Sequence, residues 1–126
     1  MRSNAMKGIG IDAVEIERFR KMLERRPNMR ARLFTEDELQ SLASQSDDAA
    51  SLAARFAVRE ATMKALGVGL GAFDFHDVSV YKDPSGAPLL KVSGRAEELA
   101  RSCGVGAWHV SITHTETVAM AVVAAL

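Results

Sequence analysis

A single cysteine, Cys103, is all the thiol chemistry this 126-residue chain carries. No intrachain disulfide can form, and no cysteine zinc site can be assembled. Charge of one prevailing sign is also missing, because sixteen basic and sixteen acidic residues cancel to a formal net charge of zero. No global field therefore marks a nucleic-acid or membrane-surface protein. Aromatic residues make up 6% of the chain, and Tyr81 and Trp108 are not interleaved with its basic residues, so a base-stacking platform for RNA is absent there. No apolar run reaches the roughly 20 residues that span a bilayer. No signal-peptide pattern follows Met6, and no G-x-S-x-G elbow supports a serine hydrolase. Repeats, low-complexity tracts and interdomain linkers are lacking as well. Together these absences predict a soluble, cytoplasmic protein with no nucleic-acid and no membrane partner.

What is present, 48% hydrophobic and 25% charged residues, suits one compact domain with a modest core. The opening MRSNAM has the look of a tag-removal scar before a second methionine. Residues 1–5 are accordingly expected to be a remnant, and residues 6–126 the single domain. Alternation from Lys7 to Asp12 predicts a short strand, with Ile9 and Ile11 on one side and Gly8, Gly10 and Asp12, at its end, on the other. Ile16, Phe19 and Leu23 repeat at helical spacing until Pro27. Thr35-Glu36-Asp37-Glu38 is a capping-box signature for a short helix, and Gln45–Asp48 reads as a loop. A long helix then holds Leu52, Phe56, Met63 and Leu66 on one side and ends at Gly67. Two strands flank the turn Asp83-Pro84-Ser85-Gly86. Arg95–Cys103 reads as a helix closed by Gly104, and Trp108–Thr113 with the run from Val118 predicts a terminal hairpin. The order of elements indicates an α+β fold, a mostly antiparallel sheet packed on the long helix.

Several residues carry possible chemistry. Asp12 either caps the following helix or serves as a metal ligand, with the neighbouring glycines leaving room for a ligand or another backbone. Glu60 and Lys64 fall on the same arc as the apolar residues of the long helix. They either form an ordinary i,i+4 ion pair or face a ligand that offsets their desolvation. Gly67, Gly69 and Gly71 directly after them allow close approach to a bulky anion. If Asp12 and Glu60 meet, two carboxylates suit Mg²⁺, which takes further ligands from water and substrate phosphates. Lys64, one turn from Glu60, would balance phosphate charge. That combination describes phosphoryl-type transfer. His114, at a strand end, is either a structural residue or a phosphate contact.

Between Arg18 and Arg32 there are seven cations (Arg18, Arg20, Lys21, Arg25, Arg26, Arg30, Arg32) against Glu24 alone. The stripe is either a solvated face or a dock for an acidic partner helix.

Three blocks, GIGIDAVEIERF (Gly8–Phe19), RFAVREATMKALGVG (Arg55–Gly69) and HVSITHT (His109–Thr115), resemble in order and spacing the small holo-acyl-carrier-protein synthases of the 4'-phosphopantetheinyl transferase superfamily. The resemblance implies Mg²⁺-dependent transfer of phosphopantetheine from coenzyme A to a serine hydroxyl of apo-acyl carrier protein. Adenosine 3',5'-bisphosphate would be released, in the service of fatty acid biosynthesis. It implies that Asp12 and Glu60 hold the metal, with Glu60 also a candidate base acting directly or through a water. Lys64 would hold the pyrophosphate, while Gly67, Gly69, His114, Arg55, Gly86 and Pro88 would contact coenzyme A. Arg18, Lys21, Arg25 and Arg26 would meet the carrier protein. It further implies a homotrimer with sites shared between neighbouring subunits. Two departures stand out: Arg59 occupies a position where the family motif has lysine, and Ser85-Gly86-Ala87-Pro88 lacks a lysine before the proline. The rival readings are an inactive carrier-binding module and a Mg²⁺-dependent nucleotide hydrolase.

Overall fold

The expected N-terminal strand runs further than its clean alternation suggests, as β1, Gly8–Glu15, in the computed structural model, which describes residues 5–126. Most of the expected tag remnant, residues 1–4, lies outside the described residues. Asp12 is thus in the middle of β1 and not at its end, because pairing with the last strand continues through Glu15↔Val118. Helix α1 follows directly (Ile16–Arg25), buries Ile16, Phe19 and Leu23 as its periodicity requires, and stops before Pro27. A short α2 (Met29–Leu33) leads to α3 (Glu36–Ser41). There the Thr35 hydroxyl accepts from the Glu38 amide while the Glu38 carboxylate accepts from the Thr35 amide, a complete capping box.

The long helix, α4, spans Ala49–Ala65. Its end is a Schellman motif: the Val68 amide donates to Met63 O and the Gly67 amide to Lys64 O, with Gly67 at φ 70° where a side chain would be strained. A 3-10 turn at Phe75–Asp77 precedes β2 (Val78–Lys82) and β3 (Pro88–Val92). The Asp83 carboxylate organises the turn between them by accepting from the amides of Ser85 and Ala87. Helix α5 (Gly94–Ser102) and the hairpin of β4 (Trp108–His114) and β5 (Val118–Ala125) complete the chain.

All strand pairing is antiparallel, as expected, but the strands divide into two sheets: a three-stranded β1-β5-β4 and a two-stranded β2-β3. The first packs its inner face on α4, and α1 and the β2-β3 ribbon close other sides of that helix. Wrapped from several directions, α4 buries residues almost all round, from Leu52 and Ala53 to Ala57, Val58 and Ala61. This overturns one premise of the sequence reading. The charges at buried positions are Arg55 and Arg59, at 6% and 0% exposure, whereas Phe56 and Glu60 are half-buried and Lys64 is exposed. The Phe56–Glu60–Lys64 stripe is the least covered edge of the helix.

On β1 the usual sense of the pattern is reversed. The glycine side faces α4, while Ile9 and Ile11 point outward at 59% and 57% exposure, with Met120 of β5 at 37%. The outer face of the three-stranded sheet is therefore apolar and uncovered along β1 and β5, while β4 presents His109, Ser111 and Thr113 there.

Candidate active site

Glu60 and Lys64 are carried on one rigid helix and Asp12 on the strand packed against it, so their meeting follows from the β1–α4 contact. The Lys64 ammonium donates to Ile11 O at 2.9 Å and lies 3.3 Å from Asp12 Oδ1. Its ion pair runs across to the strand, which replaces the reading of a helix-surface pair with Glu60. Asp12 does not cap α1, whose N-cap is Glu15 with no side-chain cap bond. The Glu60 carboxyl is held above the usual carboxylate range. Burial is the main cause and the negative charge of Asp12 the next, with Lys64 partly offsetting both. The two carboxylates stand close enough for the charge of Asp12 to act on Glu60, and both border an open space.

That space is a cleft of about 710 Å³ whose charged lining residues are Asp12, Glu15, Arg18 and Glu60. Its remaining wall is largely apolar, with Met22, Phe56 and Phe75 prominent. The rings stack in a row, Phe19 to Phe56 at 5.4 Å and Phe56 to Phe75 at 6.0 Å between centroids. Among the described residues no group of three or more histidine, cysteine, aspartate or glutamate side chains is disposed to hold a metal. The two carboxylates fit Mg²⁺, a hard cation that retains waters and completes its shell with substrate oxygens; they do not fit a closed protein-only site such as structural zinc.

The other expected site residues are not gathered here. His114 lies on the edge strand β4, paired with Ala119, which in turn pairs with Val14 of β1. Two strand spacings separate the backbones of His114 and β1 by roughly 10 Å. Gly86, at φ 88°, and Pro88 belong to the β2-β3 ribbon, outside the cleft lining. Arg55 is buried, with a single backbone bond to Ser51 O at 3.4 Å and a buried Nε that has no partner. Desolvation lowers its proton affinity, and Arg59 adds to that while Glu38 opposes it. Gly67, Gly69 and Gly71 form an exposed loop beyond α4, which reaches the cleft through Leu70 alone. Lys21 and Arg25 on α1 and Arg26 at its C-cap are exposed. Two members of the basic stripe are engaged internally instead: Arg20 pairs with Asp47, and Arg30 with Asp48.

Sequence reasoning missed the apolar wall, because its residues come from α1, α2, α4 and the 3-10 turn and share no local pattern. It also missed the second task of Glu38. Beyond its capping role, Glu38 accepts from Arg59 at 2.5 and 3.1 Å and from the Val80 amide at 3.0 Å. Arg59 donates further to Phe75 O and Arg55 O and lies over the Phe34 ring, 5.0 Å from its centroid. Arg59 is committed to the interior, which answers the question raised by the departure from lysine: its donors face protein groups and not the cleft.

With this geometry in place, comparison with known proteins is informative. The sequence model of the 4'-phosphopantetheinyl transferase superfamily matches residues 8–123. A holo-(acyl-carrier-protein) synthase of Streptomyces avermitilis is 48% identical over 118 residues, covering 94% of this chain and 95% of the relative. The crystal structure of the Neisseria meningitidis holo-(acyl-carrier-protein) synthase superposes with a TM-score of 0.88 at 27% identity, over 97% of this chain and 99% of that one. The Helicobacter pylori synthase in complex with coenzyme A superposes with a TM-score of 0.78 at 32% identity, over 94% and 99%.

Proposed function

This chain belongs to the 4'-phosphopantetheinyl transferase superfamily, among the holo-acyl-carrier-protein synthases, and from that premise we propose that it moves 4'-phosphopantetheine from coenzyme A to a serine hydroxyl of apo-acyl carrier protein. Adenosine 3',5'-bisphosphate is released, and the product serves fatty acid biosynthesis in the cytoplasm. The observation that carries this reading is the meeting of Asp12 with a distant stretch of the chain: Asp12 and Glu60 line one cleft, and Lys64 pairs with Asp12 beside it.

In the reaction the serine oxygen forms a bond to the β-phosphorus and the bridging P–O bond breaks, its oxygen leaving with the α-phosphate. The serine proton must depart, and charge builds on the leaving bisphosphate. Asp12 and Glu60 are the residues that would hold Mg²⁺, which when bound supplies positive charge to the diphosphate oxygens. Lys64, whose ammonium pairs with Asp12, would meet the same need from the protein side by exchanging Asp12 for phosphate. Glu60 would also receive the serine proton, directly or through a water. Arg18 at the cleft mouth, with exposed Lys21, Arg25 and Arg26 beside it, gives an acidic carrier helix an attractive approach.

A homotrimer with shared sites accounts for two further features. The uncovered Ile9, Ile11 and Met120 face suits burial against another copy. His114, Gly86 and Pro88, none of which lines the cleft of its own chain, would contact coenzyme A bound in a neighbour's cleft.

The test is to incubate the chain with coenzyme A, Mg²⁺ and apo-carrier protein and weigh the carrier by mass spectrometry. A serine-linked phosphopantetheine adduct is expected. Unchanged carrier with intact coenzyme A would indicate a binding module, and cleaved coenzyme A without adduct a hydrolase.

A further inference from the structure

Where β1 crosses α4, two of its residues have no room for a side chain. A Cβ at Gly8 would lie 1.9 Å from Ala65 O, and one at Gly10 would lie 1.8 Å from Ala61 O. Neither glycine is among those with positive φ; close approach of two backbones, and not conformational freedom, is what their lack of a side chain serves. The two repeats nearly coincide, since two strand residues advance about 6.6 Å and four helix residues about 6 Å. Gly8 on Ala65 and Gly10 on Ala61 are therefore successive rungs. The next rung brings Asp12, the first inward side chain of the strand, level with Ala57 and beside the edge that carries Glu60 and Lys64. Resting on the reading of Asp12 and Glu60 as metal ligands, we propose that Gly8 and Gly10 are positioning residues for the reaction: the strand–helix spacing they permit sets the separation of the two carboxylates and hence the affinity for a divalent cation.

The magnitude follows from contact distances. An ordinary carbon–oxygen approach is about 3.3 Å, so a methyl at position 10 pushes β1 from α4 by about 1.5 Å if the helix holds. Asp12, two residues along the same strand, is carried with it. Lys64, whose ammonium bridges Ile11 O and Asp12 across the same gap, loses that fit as well. Packing alone would make the glycines matter only for stability. A spacing role makes the length of the residue 12 side chain matter too, and with opposite sign in the two backgrounds.

The experiment measures Mn²⁺ binding to the purified chain by electron paramagnetic resonance, alongside thermal melting. Gly10→Ala is expected to bind Mn²⁺ at least tenfold more weakly than the parent. Val123→Ala, a core truncation on β5, is expected to lower the melting temperature while binding Mn²⁺ within twofold. Asp12→Glu should weaken binding in the parent and strengthen it in the Gly10→Ala chain, because the added methylene restores reach. Gly10→Ala binding within twofold of the parent, or Asp12→Glu acting in the same direction in both backgrounds, overturns the proposal. Should Gly10→Ala not fold, Gly8→Ala takes its place; should neither fold, Asp12→Glu alone decides, and undiminished Mn²⁺ affinity in that variant overturns the spacing role. A parent chain that binds no Mn²⁺ overturns the metal-site reading itself, a result distinct from all of these.

Discussion

Replacing Glu38 by alanine removes the carboxylate that meets Arg59 in the interior, and the cost can be worked from the contacts. Arg59 is 0% exposed and Glu38 2%, so deletion strands a guanidinium without its counter-charge, an effect of about 3–5 kcal/mol. The Val80 amide, which donates to Glu38 at 3.0 Å, loses its partner as well, at about 1–3 kcal/mol. The groups form one network and do not add, so about 5 kcal/mol is the expected total. That is comparable with the entire stability of a marginal domain, about 5–15 kcal/mol. With a urea m-value of about 2 kcal/mol/M, the unfolding midpoint falls by more than about 2 M. Exchanging both partners, Glu38→Leu with Arg59→Met, removes the stranded charge and should recover most of the loss. Urea denaturation followed by circular dichroism reads all three chains. A single-variant cost under about 1 kcal/mol, or a double variant no more stable than the single, would refute the reasoning.

The same pair has a pH signature. Burial pushes the Glu38 carboxyl up, but the hydrogen bond and charge of Arg59, with the Thr35 and Val80 amides, outweigh it and leave the group below the usual carboxylate range. A depressed acid binds fewer protons folded than unfolded, so its stabilisation is complete above the ordinary glutamate pKa. It is lost as the pH falls through the lower folded value. Glu38→Gln should flatten that acid limb of the stability profile.

The remaining predictions concern the reaction and assembly. Asp12→Asn and Glu60→Gln should each lower transfer at least about a hundredfold with an unchanged circular dichroism spectrum; near-normal turnover, read by carrier mass, would remove that residue from the mechanism. Charge reversal at Arg18 and Arg25 should weaken carrier binding most at low ionic strength, and titration calorimetry showing equal affinity at low and high salt would return the stripe to a solvated face. Ile11→Asp, on the uncovered sheet face, should lower the mass read by light scattering from that of the proposed trimer to that of a single chain and abolish transfer; a mass equal to the parent's would refute the proposed interface.

Much of the fold was legible from local pattern because its elements are stabilised locally. The Thr35–Glu38 box, the stop before Pro27, the Gly67 cap and the Asp83–Gly86 turn each depend on neighbours within a few residues, and each forms as expected. The blocks around Asp12, Glu60 and Lys64 carried the family. What only tertiary structure decided was direction and company. Periodicity placed Glu60 and Lys64 on an apolar arc, but α4 is enclosed from several sides, so its open edge is the arc that carries them. Arg59 stands where the family motif has lysine and turns inward, because Glu38, Phe75 O and the Phe34 ring converge on it from three other segments. Ile9 and Ile11 face outward, since two glycines let β1 lie against the backbone of α4 on the opposite side. A sequence records which residues can satisfy a neighbour a turn or a strand away; which distant groups become neighbours depends on how close two backbones can approach, and here that is decided where β1 crosses α4.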